Sequence, residues 1–130
     1  MNEYKTTIKS MFKEIFENTA FNEAAIQKYF DQEYIQEVDG KKLNYAQFCK
    51  HVSLQKETIR TLSFDFQTII TEGNILFSNH VVCGTTKDGR SGKFRVIAEF
   101  HFKDQKIIYC NELTHMISGD EKDRDLGSRH

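Results

Sequence analysis

The chain contains no proline and no tryptophan, and several chemistries are missing with them. No glycine-rich phosphate loop occurs, and no Gly-x-Ser-x-Gly elbow that would expose a nucleophile at a strand–helix turn. The three cysteines, Cys49, Cys83 and Cys110, lie far apart and are odd in number. They form no Cys-x-x-Cys pair and no Cys/His spacing of a metal site, so reduced thiols are expected rather than a disulfide framework. Cys83, before Gly84, is the only thiol beside a glycine, and it reads as a strand residue. No stretch approaches the 18 apolar residues of a membrane span. Met1-Asn2-Glu3-Tyr4-Lys5 opens an amphipathic pattern with acidic residues and no apolar block, unlike a signal peptide. The expected compartment is the cytoplasm, with no membrane partner. The formal net charge is −1 and Lys and Arg are scattered, which gives nothing to steer the chain toward nucleic acid.

What remains is an ordinary globular composition with an excess of rings. The chain has 130 residues, 38% apolar and 28% charged, with eleven Phe and five Tyr. A chain this long buries roughly two-thirds of its unfolded surface in one domain. The rings supply large, stiff wall material.

The hydrophobic period changes once, near residue 58. Before it, Tyr4, Ile8, Met11, Phe12, Ile15 and Phe16 recur at three and four, the stripe of one helix. Asn18-Thr19 ends it. Asn22 is a candidate N-cap for a second short helix carrying Ile26, Tyr29 and Phe30. Residues 34–38 are β-prone and Asp39-Gly40 signals a turn. Asn44 and Gln47 have capping-box spacing ahead of a third helix with Tyr45, Phe48 and Val52 on one face. After residue 58 come four strand-like segments, at about 59–71, 75–86, 93–103 and 106–117. Glu72-Gly73-Asn74, residues 87–92 and Asp104-Gln105 separate them as hairpin loops, which predicts an antiparallel meander. In 93–103, Phe94, Val96, Ala98, Phe100 and Phe102 alternate with mostly polar residues and mark one buried face.

The predicted fold is therefore α+β: N-terminal helices over a strongly curved antiparallel sheet, a cystatin-like cone or α+β barrel, with a hollow at one end as the default binding site. Residues 1–118 make the domain. Residues 119–130 are a charged C-terminal tail that reads as solvated, with a flap over the sheet rim or a partner subunit as the alternative.

This order of elements resembles the nuclear transport factor 2-like superfamily, which includes SnoaL-like polyketide cyclases, ketosteroid isomerases and scytalone dehydratase as well as non-catalytic members. The resemblance spans about residues 3–118. It rests on the segment 30–40 from the second helix into the first strand, on Lys103-Asp104-Gln105-Lys106-Ile107 where the family has an x-Asp-Gly-Lys-Ile hairpin, and on the segment from Glu112 to Asp120. That last segment, with its continuation Asp125-Leu126-Gly127-Ser128-Arg129, is similar to the ending of uncharacterised bacterial members. In that hairpin Gln105 stands where glycine is common in the family.

The resemblance implies a catalytic carboxylate at Glu37, the position of the isomerases' proton-abstracting acid. A carboxylate in an apolar cavity has a raised pKa and becomes a base near neutral pH; the alternative is a solvated strand-end glutamate. The isomerase comparison fails elsewhere. Its oxyanion acid falls at Ala98, and its first-helix tyrosine falls among Phe12, Ile15 and Phe16, none of which donates a hydrogen bond. Steroid isomerisation is therefore not expected. Glu112 is the second candidate: hairpin register places Cys110, Glu112, Thr114 and Met116 inward if Phe94, Ala98 and Phe102 face inward, and SnoaL-like cyclases carry an acid/base aspartate on a late strand. A slip of one residue would turn Glu112 outward.

For the ligand wall, Tyr34, Phe48, His51 and Phe94 are expected, with Phe30 beside them. Ala98, Phe100, Phe102, Cys110, Thr114 and Met116 continue it along the last two strands. Tyr45 is a further candidate donor. No metal and no cofactor are expected, since His80, His101 and His115 follow no ligand spacing. The outer sheet face, with Ile97, Glu99, His101, Leu113 and His115, suits a homodimer. The expected function is binding of a small, largely apolar organic molecule, with cofactor-independent isomerase, cyclase or dehydratase chemistry if it turns over. The alternative is a non-catalytic ligand-binding, dimerisation or protein-interaction module, the last with a filled cone.

Overall fold

In a computed structural model, which describes residues 3–124, three short helices lie across one six-stranded sheet. The element order is α1 (Glu3–Met11), a π-helical turn (Phe12–Glu17), α2 (Glu23–Tyr29), β1 (Phe30–Val38), β2 (Lys41–Asn44), α3 (Tyr45–Thr58), β3 (Ile59–Glu72), β4 (Ile75–Thr86), β5 (Ser91–Lys103), β6 (Lys106–Ser118) and a 3₁₀ turn (Glu121–Asp123).

The predicted first helix runs to Phe16 but changes pitch at Phe12. Phe12 and Ile15 remain buried through the π turn. Asn22 caps α2, its side chain accepting from Ala25 N at 3.2 Å. Phe30, read as the end of that helix, is instead the first residue of β1. Both halves of the capping box at α3 are formed: Asn44 Oδ1 accepts from Gln47 N and Gln47 Oε1 accepts from Asn44 N, each at 2.9 Å. This box positions Phe48, His51 and Val52, three and four residues apart, on the helix's buried face.

The four long strands form the expected meander, and the sheet order is β2-β1-β6-β5-β4-β3. Two features depart from the prediction. The short strand β2 was not read from the sequence. The pairing of β1 with β6 is parallel, so the sheet is mixed, and β2 and β3 form its free edges, so it stays an open cone rather than a closed barrel. Register shifts at Phe66/Thr68 and His101/Phe102 mark bulges, which bend strands and increase their twist. Asp104 and Gln105 both take positive φ, 51° and 71°, as a tight hairpin turn of this class requires. Gln105 accepts at some cost a conformation that glycine would adopt freely.

The core lies between the helices and the concave face of the sheet, and rings dominate it. Tyr4 stacks on Phe102 with centroids 4.1 Å apart. Phe30, Tyr34 and Phe48 pack together at 4.6–5.0 Å. Beyond β6 the chain does not leave the surface as a plain tail. It turns at Gly119, and Asp123 is buried at 5% exposure. Residues 125–130, including the Asp125–Arg129 part of the resemblance, lie outside the described residues.

Because α3 depends on one cap to start, Asn44→Ala should lower stability by about 1 kcal/mol. Urea denaturation checks this: the midpoint should fall with the slope unchanged, whereas an unchanged midpoint would show that packing alone holds the helix.

Candidate functional site

The side-chain alternation of β5 and β6 builds the site. Ala98 pairs with Glu112, Phe100 with Cys110, Val96 with Thr114 and Phe94 with Met116. The inward face of β5 thus carries its even-numbered partners on β6 to the same side. The parallel ladder between β1 and β6 then decides the face of the first strand. Gln36 lies beside Cys110 and Val38 beside Glu112, so these face inward with Tyr34, while Glu37 lies beside Asn111.

Between this concave face and the helices is a cavity of about 120 Å³. An apolar cavity of about 150 Å³ accepts benzene, so this one suits a guest of roughly one ring. Rings of Phe12, Phe30, Phe48, Phe64, Phe94 and Phe100 form much of its wall. Polar groups on the lining include Tyr34, Gln36, His51, His80, Arg90, Glu112, Thr114 and Asp123.

Glu112 dominates the electrostatics. It is half-buried, facing the cavity. Desolvation by the surrounding protein raises its pKa to about 7, the direction expected when a carboxylate loses water. Cys110 Sγ donates weakly to Glu112 Oε2 at 3.5 Å and offsets only part of that rise. Tyr34, buried at 1% exposure, donates its hydroxyl to Gln36 Oε1 at 2.8 Å. Burial first, then the nearby acidic groups Cys110 and Glu112, hold the Tyr34 phenol well above its usual value. It therefore stays a hydrogen-bond donor at any ordinary pH.

Of the expected wall residues, Tyr34, Phe48, His51, Phe94, Phe100, Cys110 and Thr114 line the cavity. The Thr114 hydroxyl, however, donates to Asp39 Oδ2 at 2.5 Å, which ties the end of β1 to β6. Four residues are placed otherwise. Glu37 points to the outer face, where the Tyr109 hydroxyl donates to its carboxylate; the parallel ladder, invisible in a short β-prone stretch, sets that orientation. Ala98 and Phe102 are buried but lie in the core rather than on the cavity wall, Phe102 beneath Tyr4. Met116 faces inward beside the Gly119 turn and is absent from the lining. Tyr45 also lies away from the cavity, with its hydroxyl beside the Cys49 thiol.

Gln36, His80 and the Arg90–Asp123 pair line the cavity and are not legible as cavity residues in the sequence. Arg90 Nε and its terminal nitrogen Nη2 hold Asp123 at 2.8 and 2.9 Å, and Arg90 also binds Asp88. That bidentate pair, 33 residues apart in sequence, fastens the segment after β6 against the cavity. Among the described residues, no group of three His, Cys, Asp or Glu side chains could hold a metal ion, and His80 faces inward while His101 lies outside beside Tyr109.

The same arrangement of helices over a bent sheet is found in other solved structures. AclR of Streptomyces galilaeus, provisionally assigned as a hydroxylase, superposes with a TM-score of 0.75 at 15% identity, over 88% of this chain and 76% of that one. IdmH of Streptomyces antibioticus, provisionally assigned as a polyketide cyclase, gives 0.72 at 11% identity, over 87% of this chain and 92% of that one. A nuclear transport factor 2-like protein of unknown function from Exiguobacterium sp. 255-15 gives 0.69 at 16% identity, with 88% of this chain and 98% of that one covered.

The chain has the nuclear transport factor 2-like fold.

No family model matches the sequence. An uncharacterised protein of Schizosaccharomyces pombe is 30% identical over 121 residues, 93% of this chain and 92% of its own, and the two belong to one family. The structural likenesses establish a nuclear transport factor 2-like fold and leave the reaction to be argued from the site. Among the described residues, no helix of this nuclear transport factor 2-like domain is long and apolar enough to cross a membrane.

The cavity acid has a measurable signature. Glu112 is protonated in the fold up to about pH 7 but ionises near 4.5 when unfolded. Its contribution to stability is therefore full below pH 4.5 and is lost as pH rises through 7. Glu112→Gln removes the titration, so the variant should gain on the wild type by up to about 3 kcal/mol between pH 4.5 and 8. Denaturation at several pH values checks this; a difference that does not change with pH would place the carboxylate in water.

Proposed function

We propose that this domain binds a small, largely apolar organic molecule in its cone and that Glu112 acts on it as a general acid/base, without a cofactor. The observation that carries this reading is one carboxyl with a pKa near 7 in a ring-walled cavity. A base poised near the working pH combines a useful ionised fraction with a useful driving force for proton transfer. The chemistry it fits is isomerisation, cyclisation or dehydration, in which a carboxylate takes a proton from carbon and returns it. The Tyr34 hydroxyl, on the same wall, already donates to Gln36 Oε1, so it would serve an oxyanion only by exchanging that bond, and the first helix offers only Phe12, Ile15 and Phe16. Glu37 has no part in this step. The assignments of AclR and IdmH are compatible with the same class of reaction or with ligand binding alone.

Proton exchange tests the reading without knowledge of the natural substrate. Acetophenone in deuterated water should exchange its α-protons faster with the protein than without, with a rate that rises through pH 7 and disappears in Glu112→Gln. Equal exchange by variant and wild type would remove Glu112 from the chemistry and leave a binding module.

We also propose a homodimer through the outer sheet face, and a cytoplasmic setting, which three free thiols support. Ile70, Phe77, Ile97 and Leu113 are exposed at 44–64% and adjoin one another: Ile70 opposes Phe77, and Ile97 opposes Leu113. Arg95 and Glu99 stand at opposite sides of this stripe on β5. A two-fold axis would bring the basic side of one copy to the acidic side of the other. Sedimentation equilibrium should give a dimer for the wild type and a folded monomer for Leu113→Lys; a monomeric wild type contradicts the interface.

A further inference from the structure

The cavity holds a second titratable side chain that the chemistry above does not use. His80, on β4, is buried at 1% exposure and lines the cavity. Strand register puts it on the concave face with Glu112: His80 pairs with Val96, which pairs with Thr114, and Ser78 pairs with Ala98, which pairs with Glu112. Histidine and glutamate are thus two strands apart, roughly 10 Å across the sheet, and offset by one inward position. Small residues, Ala98 and Ser78, stand between them on the concave face of the sheet. His80 and Glu112 both line the cavity, so a one-ring guest there lies between them.

The ring of His80 is held on all sides but one. Nδ1 lies 3.0 Å from Ser78 Oγ. Phe12 and Phe66 pack against the imidazole with centroids at 5.2 and 5.1 Å, and Phe64 at 6.1 Å. Among the described residues nothing pairs with Nε2. Desolvation lowers the pKa of the group to about 4, so the imidazole is neutral wherever Glu112 titrates. Nε2 thus keeps hydrogen-bonding capacity that a ligand oxygen in the cavity can use. The ligand itself should be uncharged, because the one cationic side chain of the lining other than histidine, Arg90, is already paired with Asp88 and Asp123.

Resting on the reading of the cone as a ligand site, we propose that His80 is its second polar anchor: Nε2 hydrogen-bonds an oxygen of a small uncharged aromatic molecule whose opposite end faces Glu112. His80 then decides which aromatic compounds are accepted and how they are oriented toward the carboxyl group.

Two one-ring probes separate shape from hydrogen bonding: benzene, and hydroquinone kept reduced in oxygen-free buffer. Binding is followed by NMR at pH 6. His80→Phe suits the surrounding rings and removes both nitrogens; hydroquinone should bind about tenfold more weakly, the worth of one hydrogen bond, while benzene binding is unchanged. His80→Gln, whose amide nitrogen reaches near the Nε2 position, should restore hydroquinone binding. If His80→Phe fails to fold, His80→Asn serves, since its shorter amide keeps the Ser78 contact and loses the Nε2 position. Undiminished hydroquinone binding in these variants, with benzene still bound, would overturn the anchor and leave the cavity as a ligand site. Equal weakening of both probes would show that the imidazole only fills space, and also overturns it. A wild-type protein that binds neither probe would remove the ligand site itself.

Discussion

Ala98 stands opposite Glu112 across the β5–β6 ladder, and the placement of every other group in the cone follows from that pairing. A strand has a period of two, so one fixed pair assigns the whole of both strands to faces. With Glu112 inward, Cys110 and Thr114 are inward, and the phenylalanines of β5 close the wall beside them. The parallel ladder carries the same choice to β1, where Gln36 and Val38 join the cavity side and Glu37 is turned away. The antiparallel ladder carries it to β4, where Ser78 and His80 join. A single residue of slip would reverse all of these and leave a charged strand end in solvent beside an apolar surface.

The cavity exists because the helices cover the sheet without filling it. Large rings meet edge to face or tilted around Phe12 and Phe48, and such rigid plates pack with less freedom to collapse than aliphatic chains. Into the remaining space the sheet directs two ionisable groups whose surroundings push them in opposite directions: the carboxyl upward to about 7 and the imidazole downward to about 4. Both shifts favour the neutral form, and both have the same cause, loss of water. Environments that move acid and base values in this way are typical of acid/base sites. The Arg90–Asp123 pair closes the same space from the C-terminal side and neutralises a charge that would otherwise attract anions.

The sequence makes some of this legible and hides the rest for identifiable reasons. Residues 93–103 alternate cleanly over five apolar positions, so the inward face of β5, and through the short Asp104-Gln105 turn that of β6, can be read directly. The capping box at Asn44 and the break at Asn18 are local chemistry and equally readable. Glu37 is not, because its face is set by a parallel partner more than seventy residues away. His80 is hidden within Ser78-Asn79-His80-Val81-Val82, where apolar residues fall on both faces: Val81 is buried on the outer side and Val82 faces the cavity. Asp123 is hidden because a run of charges looks solvated until Arg90, on the far side of β5 and β6, accounts for it.

The central claim is that the fold draws the Glu112 carboxyl away from water. Carbon-detected NMR of side-chain carboxyls across pH 3–9, in the wild type and in Glu112→Gln, tests it most directly. The account predicts one glutamate signal with a midpoint near 7 that is missing from the variant. If every glutamate of the wild type titrates near 4.5, the carboxyl is solvated and the account is wrong.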